Sequence, residues 1–223
     1  HKKNPIFDLK KKKVDILVNL SASPYTFKKL ELRSKVSSFA AQYLQVPLIY
    51  VNQIGANDNL IFDGNSFILD KNGSKIKQLK SFSEDLSSWD IEQTKPQKNK
   101  FEKSEMSSIF DALVLGVKDY AQKCGFKTAL IGLSGGIDSA LVSAIATAAL
   151  GSKNIYCVSM PSKWSSPHSK SDAKDLASRL KINFNSIPIE NLMSSFEESF
   201  INTISFEMAE ITNQNIQSRI RGT

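Results

Sequence analysis

Gly132-Leu133-Ser134-Gly135-Gly136-Ile137-Asp138-Ser139-Ala140-Leu141 is the stretch on which the reading of this chain turns. Residues 128–133 (TALIGL) are a short apolar run of strand type, and residues 137–150 are Ala-rich and helical in pattern. Two glycines, two serines and an aspartate therefore sit where a buried strand hands over to a helix. Adjacent glycines let the backbone approach an anion closely. The serine hydroxyls add donors, and the helix N-terminus adds unpaired N–H groups and a positive dipole end. Asp138 beside such a nest is a candidate ligand for a divalent cation bridging phosphates. The plainer alternative is a Gly-Gly turn with Ser or Asp as helix cap. So many glycines and polar residues at one strand end favour phosphate binding. Neither GxxxxGK[ST] nor GxGxxG occurs in the chain.

Outward from this junction the pattern alternates. Residues 107–123 read as a helix with Phe110, Leu113, Val114, Val117, Tyr120 and Ala121 on its apolar side. Strands are predicted over 154–160 and 182–187, a helix over 169–180, and two more helices over 192–204 and 207–219. Strands alternating with helices imply right-handed crossovers and a parallel sheet covered on both faces, with ligands at the C-terminal strand ends. Upstream, residues 14–19 (VDILVN) read as a buried strand. Residues 28–44 read as an amphipathic helix carrying Leu32, Val36, Phe39, Ala40 and Tyr43, and residues 47–51 as a second strand. Residues 60–69 read as two strands around Asp63-Gly64-Asn65, and Asp70-Lys71-Asn72-Gly73 as a hairpin turn. Between the halves, residues 81–102 lose all periodicity and read as a connector, with Trp89 pinning it to one domain. The expected division is 1–95 and 96–223.

The chain has 223 residues, 41% of them apolar and 23% charged, ordinary values for a folded globular protein. Its net charge of +7 is lopsided. Residues 1–100 hold 17 Lys+Arg against 10 Asp+Glu, and residues 101–223 hold 12 of each. The excess gathers near the N-terminus, at Lys2, Lys3 and Lys10 to Lys13, without any nucleic-acid module signature, so no specific nucleic-acid partner is expected. No apolar run is long enough to span a bilayer and no apolar signal segment opens the chain. Two cysteines, Cys124 and Cys157, make no disulfide framework, and the expected location is the cytoplasm.

The junction matches SGGxDS, the pyrophosphate-binding loop of ATP-pyrophosphatase enzymes. After the next strand come Ser159-Met160-Pro161-Ser162 and Ser165-Ser166-Pro167-His168-Ser169. Near the end stands Asn213-Gln214-Asn215-Ile216-Gln217-Ser218-Arg219-Ile220-Arg221-Gly222. These stretches resemble the synthetase domain of the glutamine-dependent NAD+ synthetase family. Asn19-Leu20-Ser21-Ala22-Ser23-Pro24, Val51-Asn52-Gln53-Ile54-Gly55 and Phe62-Asp63-Gly64-Asn65-Ser66-Phe67 resemble the second half of the nitrilase-type glutaminase domain fused upstream in that family. The implied fold is α/β: a partial nitrilase-like layer joined to a parallel-sheet, Rossmann-like ATP-pyrophosphatase (adenine nucleotide alpha hydrolase-like) domain.

The resemblance implies ATP and Mg2+ as ligands, deamido-NAD as substrate, and glutamine or ammonia as nitrogen source. It implies small-molecule substrates, no membrane and a homo-oligomer. Gly132, Leu133, Ser134, Gly135, Gly136, Ile137, Asp138, Ser139, Ser159 and Met160 would bind ATP, with Asp138 on the metal. Asn215 and Arg219 would bind deamido-NAD, and Ser23 and Lys29 glutamine. Lys29 replaces the usual Arg and so loses a bidentate grip on carboxylate. As ordinary residues, Ser23 and Lys29 would be a loop serine and a solvated lysine, and Asn215 and Arg219 an exposed helix face. His168 reads as a loop residue or cap neighbour. The family's Glu-Lys-Cys triad has no counterpart in these residues, and Cys124 and Cys157 fit structural roles. The chain is expected to be the middle of a longer protein. The alternatives are another SGGxDS-loop ligase, or a non-catalytic fragment or interaction module.

Overall fold

The computed structural model describes residues 4–92, 104–204 and 210–222. It divides into two compact units, His1–Tyr120 and Ala121–Thr223.

The first unit runs α1 (Pro5–Lys11), β1 (Leu17–Ser21), α2 (Lys29–Leu44), β2 (Leu48–Asn52), β3 (Ile54–Asn57), β4 (Leu60–Asp63), β5 (Phe67–Leu69), β6 (Lys75–Gln78) and the greater part of α3 (Glu105–Cys124). Its main sheet has the order β1-β2-β5-β6, with β1 parallel to β2 and the other pairs antiparallel. The crossover through α2 makes the β1–β2 pair parallel. One face of α2 lies on the sheet, where Ala40, Ala41, Leu48, Tyr50, Phe67 and Leu69 form the core. Tyr50 and Phe67 stack at 4.9 Å. The turn expected at Asp70 to Gly73 forms as read: Asp70 Oδ1 accepts from Asn72 N (2.9 Å) and Ser74 N (2.8 Å), and Gly73 adopts φ +76°.

Several expectations need correction here. The first strand is displaced to Leu17–Ser21, because its limits follow the parallel register from Leu17↔Leu48 to Ser21↔Asn52 rather than the apolar run. It is a sheet edge, and Val18 and Leu20 are exposed instead of buried. On α2 the stripe Leu32, Val36 and Phe39 faces solvent, and the buried face is Arg33, Ser37, Ala40 and Ala41. On α3, Phe110, Leu113, Val117 and Tyr120 are likewise exposed, whereas Ala112 is buried and Asp119 Oδ2 accepts from Ala56 N at 2.7 Å. In both helices small or polar residues, not large apolar ones, allow close approach to strands. The strands around Asp63-Gly64-Asn65 exist but do not pair with each other: β4 pairs with β3, which the sequence reading missed, and β5 pairs with β2 and β6. Helix α1 was also missed, although Asn4 caps it by accepting from Ile6 N (3.1 Å), with Pro5 at its first turn. Residues 81–92 contain no helix or strand, and residues 93–102 of the connector lie outside the described residues.

The second unit contains the end of α3, then β7 (Ala129–Gly132), α4 (Ile137–Leu150), β8 (Ile155–Ser159), α5 (Pro167–Leu180), β9 (Asn183–Ser186), α6 (Glu190–Ile204) and α7 (Glu210–Gly222). The expected start of the last helix, at residue 207, lies outside the described residues. Strands β7, β8 and β9 are adjacent in that order and parallel, as the alternating pattern requires. Leu133, Ala146, Ile155, Cys157, Ala173, Ala177 and Ile182 form the core between the sheet and α4 and α5. Cover on both faces is not found: among the described residues Leu130 (75% exposed) and Tyr156 (45%) point away from that core into solvent. Their apolar character matches a doubly covered strand, whereas α4 and α5 pack on the core side of the sheet.

Candidate functional site

The β7–α4 junction builds a backbone nest from its sequence. Gly135 turns at φ +85°, and a β-carbon there would lie 2.2 Å from the carbonyl oxygen of Ser169 in α5. Glycine is required both by the turn and by the approach of α5. Gly136 occupies the N-cap of α4 with no side-chain cap bond. The two serines brace the loop. Ser134 Oγ accepts from Gly136 N (3.2 Å), Ser139 Oγ donates to Gly136 O (3.0 Å), and the two hydroxyls lie 3.1 Å apart. Both hydroxyls are thus partly spent on the loop itself, and the helix-start N–H groups are what it presents to an anion.

A cavity of about 220 Å³ opens at the C-terminal ends of β7 and β8. Gly132, Leu133, Ser134, Ser159 and Met160 of the expected nucleotide set line it, together with Ser169, Lys170 and Arg221. No carboxylate lines it, and two cations do. Arg221 Nε donates to Met160 O (3.1 Å) and Gln217 Nε2 to Ser162 Oγ (2.7 Å), fastening α7 to the loop after β8. Asn215 and Arg219 are exposed and do not line this cavity; two residues from Gln217 and Arg221, they lie about 200° round the helix. Ile137 and Asp138 are exposed at the start of α4. His168 is the second residue of α5, whose N-cap Ser166 accepts from Ser169 N at 3.0 Å.

Asp138 can be tested as a metal ligand by its donor set. No group of three or more His, Cys, Asp or Glu able to hold a metal occurs among the described residues. A single exposed carboxylate beside a backbone nest suits Mg2+, which usually takes one or two carboxylates and completes its shell with phosphates and water. Asp138 fits that role and no all-protein cage.

In the first unit, Ser23 lies on the loop after β1 and Lys29 opens α2. Lys29 lines a cavity of about 730 Å³ with Tyr25, Phe27, Lys75 and Glu105 among its walls; Ser23 does not line it. Burial foremost, then the charges of Asp63 and Glu105, push the Tyr25 phenol up from its ordinary value. Behind Ser23 runs a buried polar network. Arg33 and Asp63 form an ion pair at 2.8 Å, with 4% and 2% of their side chains exposed, and Asn52 and Asn65 are buried with them. The sequence reading did not single out Arg33. Its signal was there: an arginine on the helix face that also carries Ser37, Ala40 and Ala41. Lys170 and Arg221 were missed because only the fold brings them to the loop. Both cysteines are free; Cys124 ends α3 and Cys157 is sealed in β8, where burial raises its thiol pKa.

Residues 109–223 match the NAD synthase family and residues 2–98 match the carbon-nitrogen hydrolase family. The glutamine-dependent NAD(+) synthetase of Synechocystis sp. is 45% identical over 98% of this chain, which covers 40% of that protein. The one from Acinetobacter baylyi is 37% identical over 99% of this chain and 41% of its own length. The structure of glutamine-dependent NAD+ synthetase from Acinetobacter baumannii, in complex with ADP, is similar at a TM-score of 0.88 and 35% identity, covering 97% of this chain and 42% of that one. The chain spans about two fifths of the length of these relatives. No described helix is long and apolar enough to cross a membrane. With more than half its residues inside the NAD synthase match, and a carbon-nitrogen hydrolase segment ahead of it, the chain belongs to the NAD synthase family.

Proposed function

We propose that this chain carries the nucleotide site of an ATP-dependent amide ligase that converts deamido-NAD to NAD+. The observation that carries the reading is the β7–α4 nest, closed by Gly135 against Ser169, whose Ser134 lines a neighbouring cavity with two cations and no carboxylate; Gly135, Gly136 and Ser139 themselves do not line it. A triphosphate is what such a site suits. A nicotinate carboxylate oxygen attacks the α-phosphorus of ATP, the bond to the β-phosphate oxygen breaks, and pyrophosphate leaves. Ammonia then attacks the activated acyl carbon, AMP departs, and the nitrogen loses its proton. The chain's part is electrostatic. N–H groups of the nest, with Lys170 and Arg221, hold the leaving pyrophosphate and fix its line of departure. Mg2+, when bound on Asp138, supplies charge neutralisation between phosphates.

On this reading the deamido-NAD site draws on Asn215 and Arg219, and Ser23 and Lys29 serve glutamine as the ammonia source. The segments divide at 95/96, the protein assembles as a homo-oligomer, and two free cysteines suit the cytoplasm. The full-length protein, given Mg-ATP, deamido-NAD and ammonia, is expected to yield NAD+, AMP and pyrophosphate in equal amounts. ADP and phosphate instead of AMP and pyrophosphate would exclude this mechanism.

A further inference from the structure

Ser23 is held on three sides. Its N–H donates to Asn52 Oδ1 (2.9 Å), and its carbonyl accepts from Asn52 Nδ2 (3.2 Å) and Arg33 Nη2 (2.7 Å). Its Oγ accepts from Arg33 Nε (3.0 Å). Arg33 also donates to the Pro24 carbonyl (3.1 Å) and, through Nη1, to both carboxylate oxygens of Asp63 (2.8 and 3.0 Å). All three guanidinium nitrogens are engaged inside the fold, so Arg33 holds Ser23 rather than reaching for a ligand. Asp63 is fixed in turn by Asn65 Nδ2 (2.7 Å), and Asn65 Oδ1 by Gln78 Nε2 (3.0 Å). A buried ion pair carries a desolvation cost, which this one offsets only with its full set of hydrogen bonds. Among the described residues nothing accepts the hydroxyl proton of Ser23. With one oxygen lone pair committed to a cation, that proton points away from Arg33.

We propose that Arg33 is a positioning residue, which through Asp63 fixes the Ser23 hydroxyl as a hydrogen-bond donor to an acceptor oxygen of the amide-donor substrate. The inference rests on reading Ser23 as a glutamine contact. Lysine cannot replace Arg33, because three donors on one nitrogen do not span Ser23 Oγ, two carbonyls and a carboxylate.

The test is steady-state NAD+ synthesis by the full-length enzyme, driven either by glutamine or by ammonia, with Arg33→Lys, Asp63→Asn and Ser23→Ala. Arg33→Lys is expected to raise KM for glutamine by about tenfold or more, with kcat within about twofold, because what it removes is substrate placement. Ammonia-driven synthesis by that variant should stay at the wild-type rate, which also shows that it folds. Should Arg33→Lys lose ammonia-driven synthesis as well, Asp63→Asn decides by the same KM shift, upheld if it rises and overturned if it does not. A raised KM in Ser23→Ala with an unchanged one in Arg33→Lys overturns the positioning role alone. An unchanged KM in Ser23→Ala overturns the glutamine contact, and the positioning role with it.

Discussion

At Gly135 two demands meet in one residue, a left-handed φ of +85° and a carbonyl oxygen 2.2 Å from where a β-carbon would be. Gly135→Val therefore strains the packing of α5 as well as the nest, and the fold is expected to lose about 2 kcal/mol or more, seen as a lower thermal midpoint. Asp138→Ala separates binding from folding. The side chain is exposed, so the melt should not move, while Mg-ATP affinity by calorimetry should fall about tenfold, or roughly 1.4 kcal/mol. Unchanged affinity would reduce Asp138 to a helix-start acid. Cys157 gives a pH signature. Its thiol pKa is raised by burial in the fold, so above about pH 8.5 the unfolded chain ionises first and binds fewer protons than the folded one. Stability should then fall as pH rises through that range, and Cys157→Ala should flatten the fall. The nest was legible because its glycines and hydroxyls are contiguous. Arg33 and Asp63, thirty residues apart, were not, since only the packing of α2 beside the end of β4 brings them together.

Helices show where hydrophobic periodicity misleads. In α2 the apolar stripe Leu32, Val36 and Phe39 is real, yet the sheet lies against Arg33, Ser37, Ala40 and Ala41. Periodicity identifies a helix, and α4 spans Ile137–Leu150 as read while α3, α5 and α6 each begin two residues before their expected starts, but it cannot say which of two usable faces meets the strands. Small residues on one face are the competing signal, because they let a helix approach closely. The difference is measurable. Ala41, with 0% exposure, should not accept leucine, and Ala41→Leu is expected to cost about 1–3 kcal/mol. Val36→Ala, at a position 60% exposed, should change stability by no more than about 0.5 kcal/mol in this chain. Equal shifts in both melts would contradict the buried face described above. Strand limits moved for a different reason. Register with a neighbour sets them, as Leu17↔Leu48 shows for β1, and a single segment carries no record of its partner.

Across the whole molecule, two activities read from the sequence have unequal support in these residues. The second unit holds the strand–loop–helix nest, and Ser134 of that nest lines a cavity together with Lys170 and Arg221. The first holds a braced serine and a lysine-lined cavity, and neither cysteine of the chain falls within its residues 1–120. A thiol must ionise and be reached in order to attack a carboxamide. Cys157 can do neither: it is 0% exposed in β8, and burial raises its pKa. Cys124 is exposed at the end of α3, in the second unit, whereas Ser23 and Lys29 belong to the first. The 223-residue chain given glutamine should therefore release no ammonia above a no-protein blank, at neutral pH and at pH 9. The same preparation should still bind Mg-ATP, since the nest lies within one compact unit. Ammonia release that disappears in Cys124→Ser would make that thiol a working nucleophile. Release that survives both Cys124→Ser and Cys157→Ser would require a nucleophile other than a thiol, and the structural role assigned to the cysteines would then explain nothing about the missing activity.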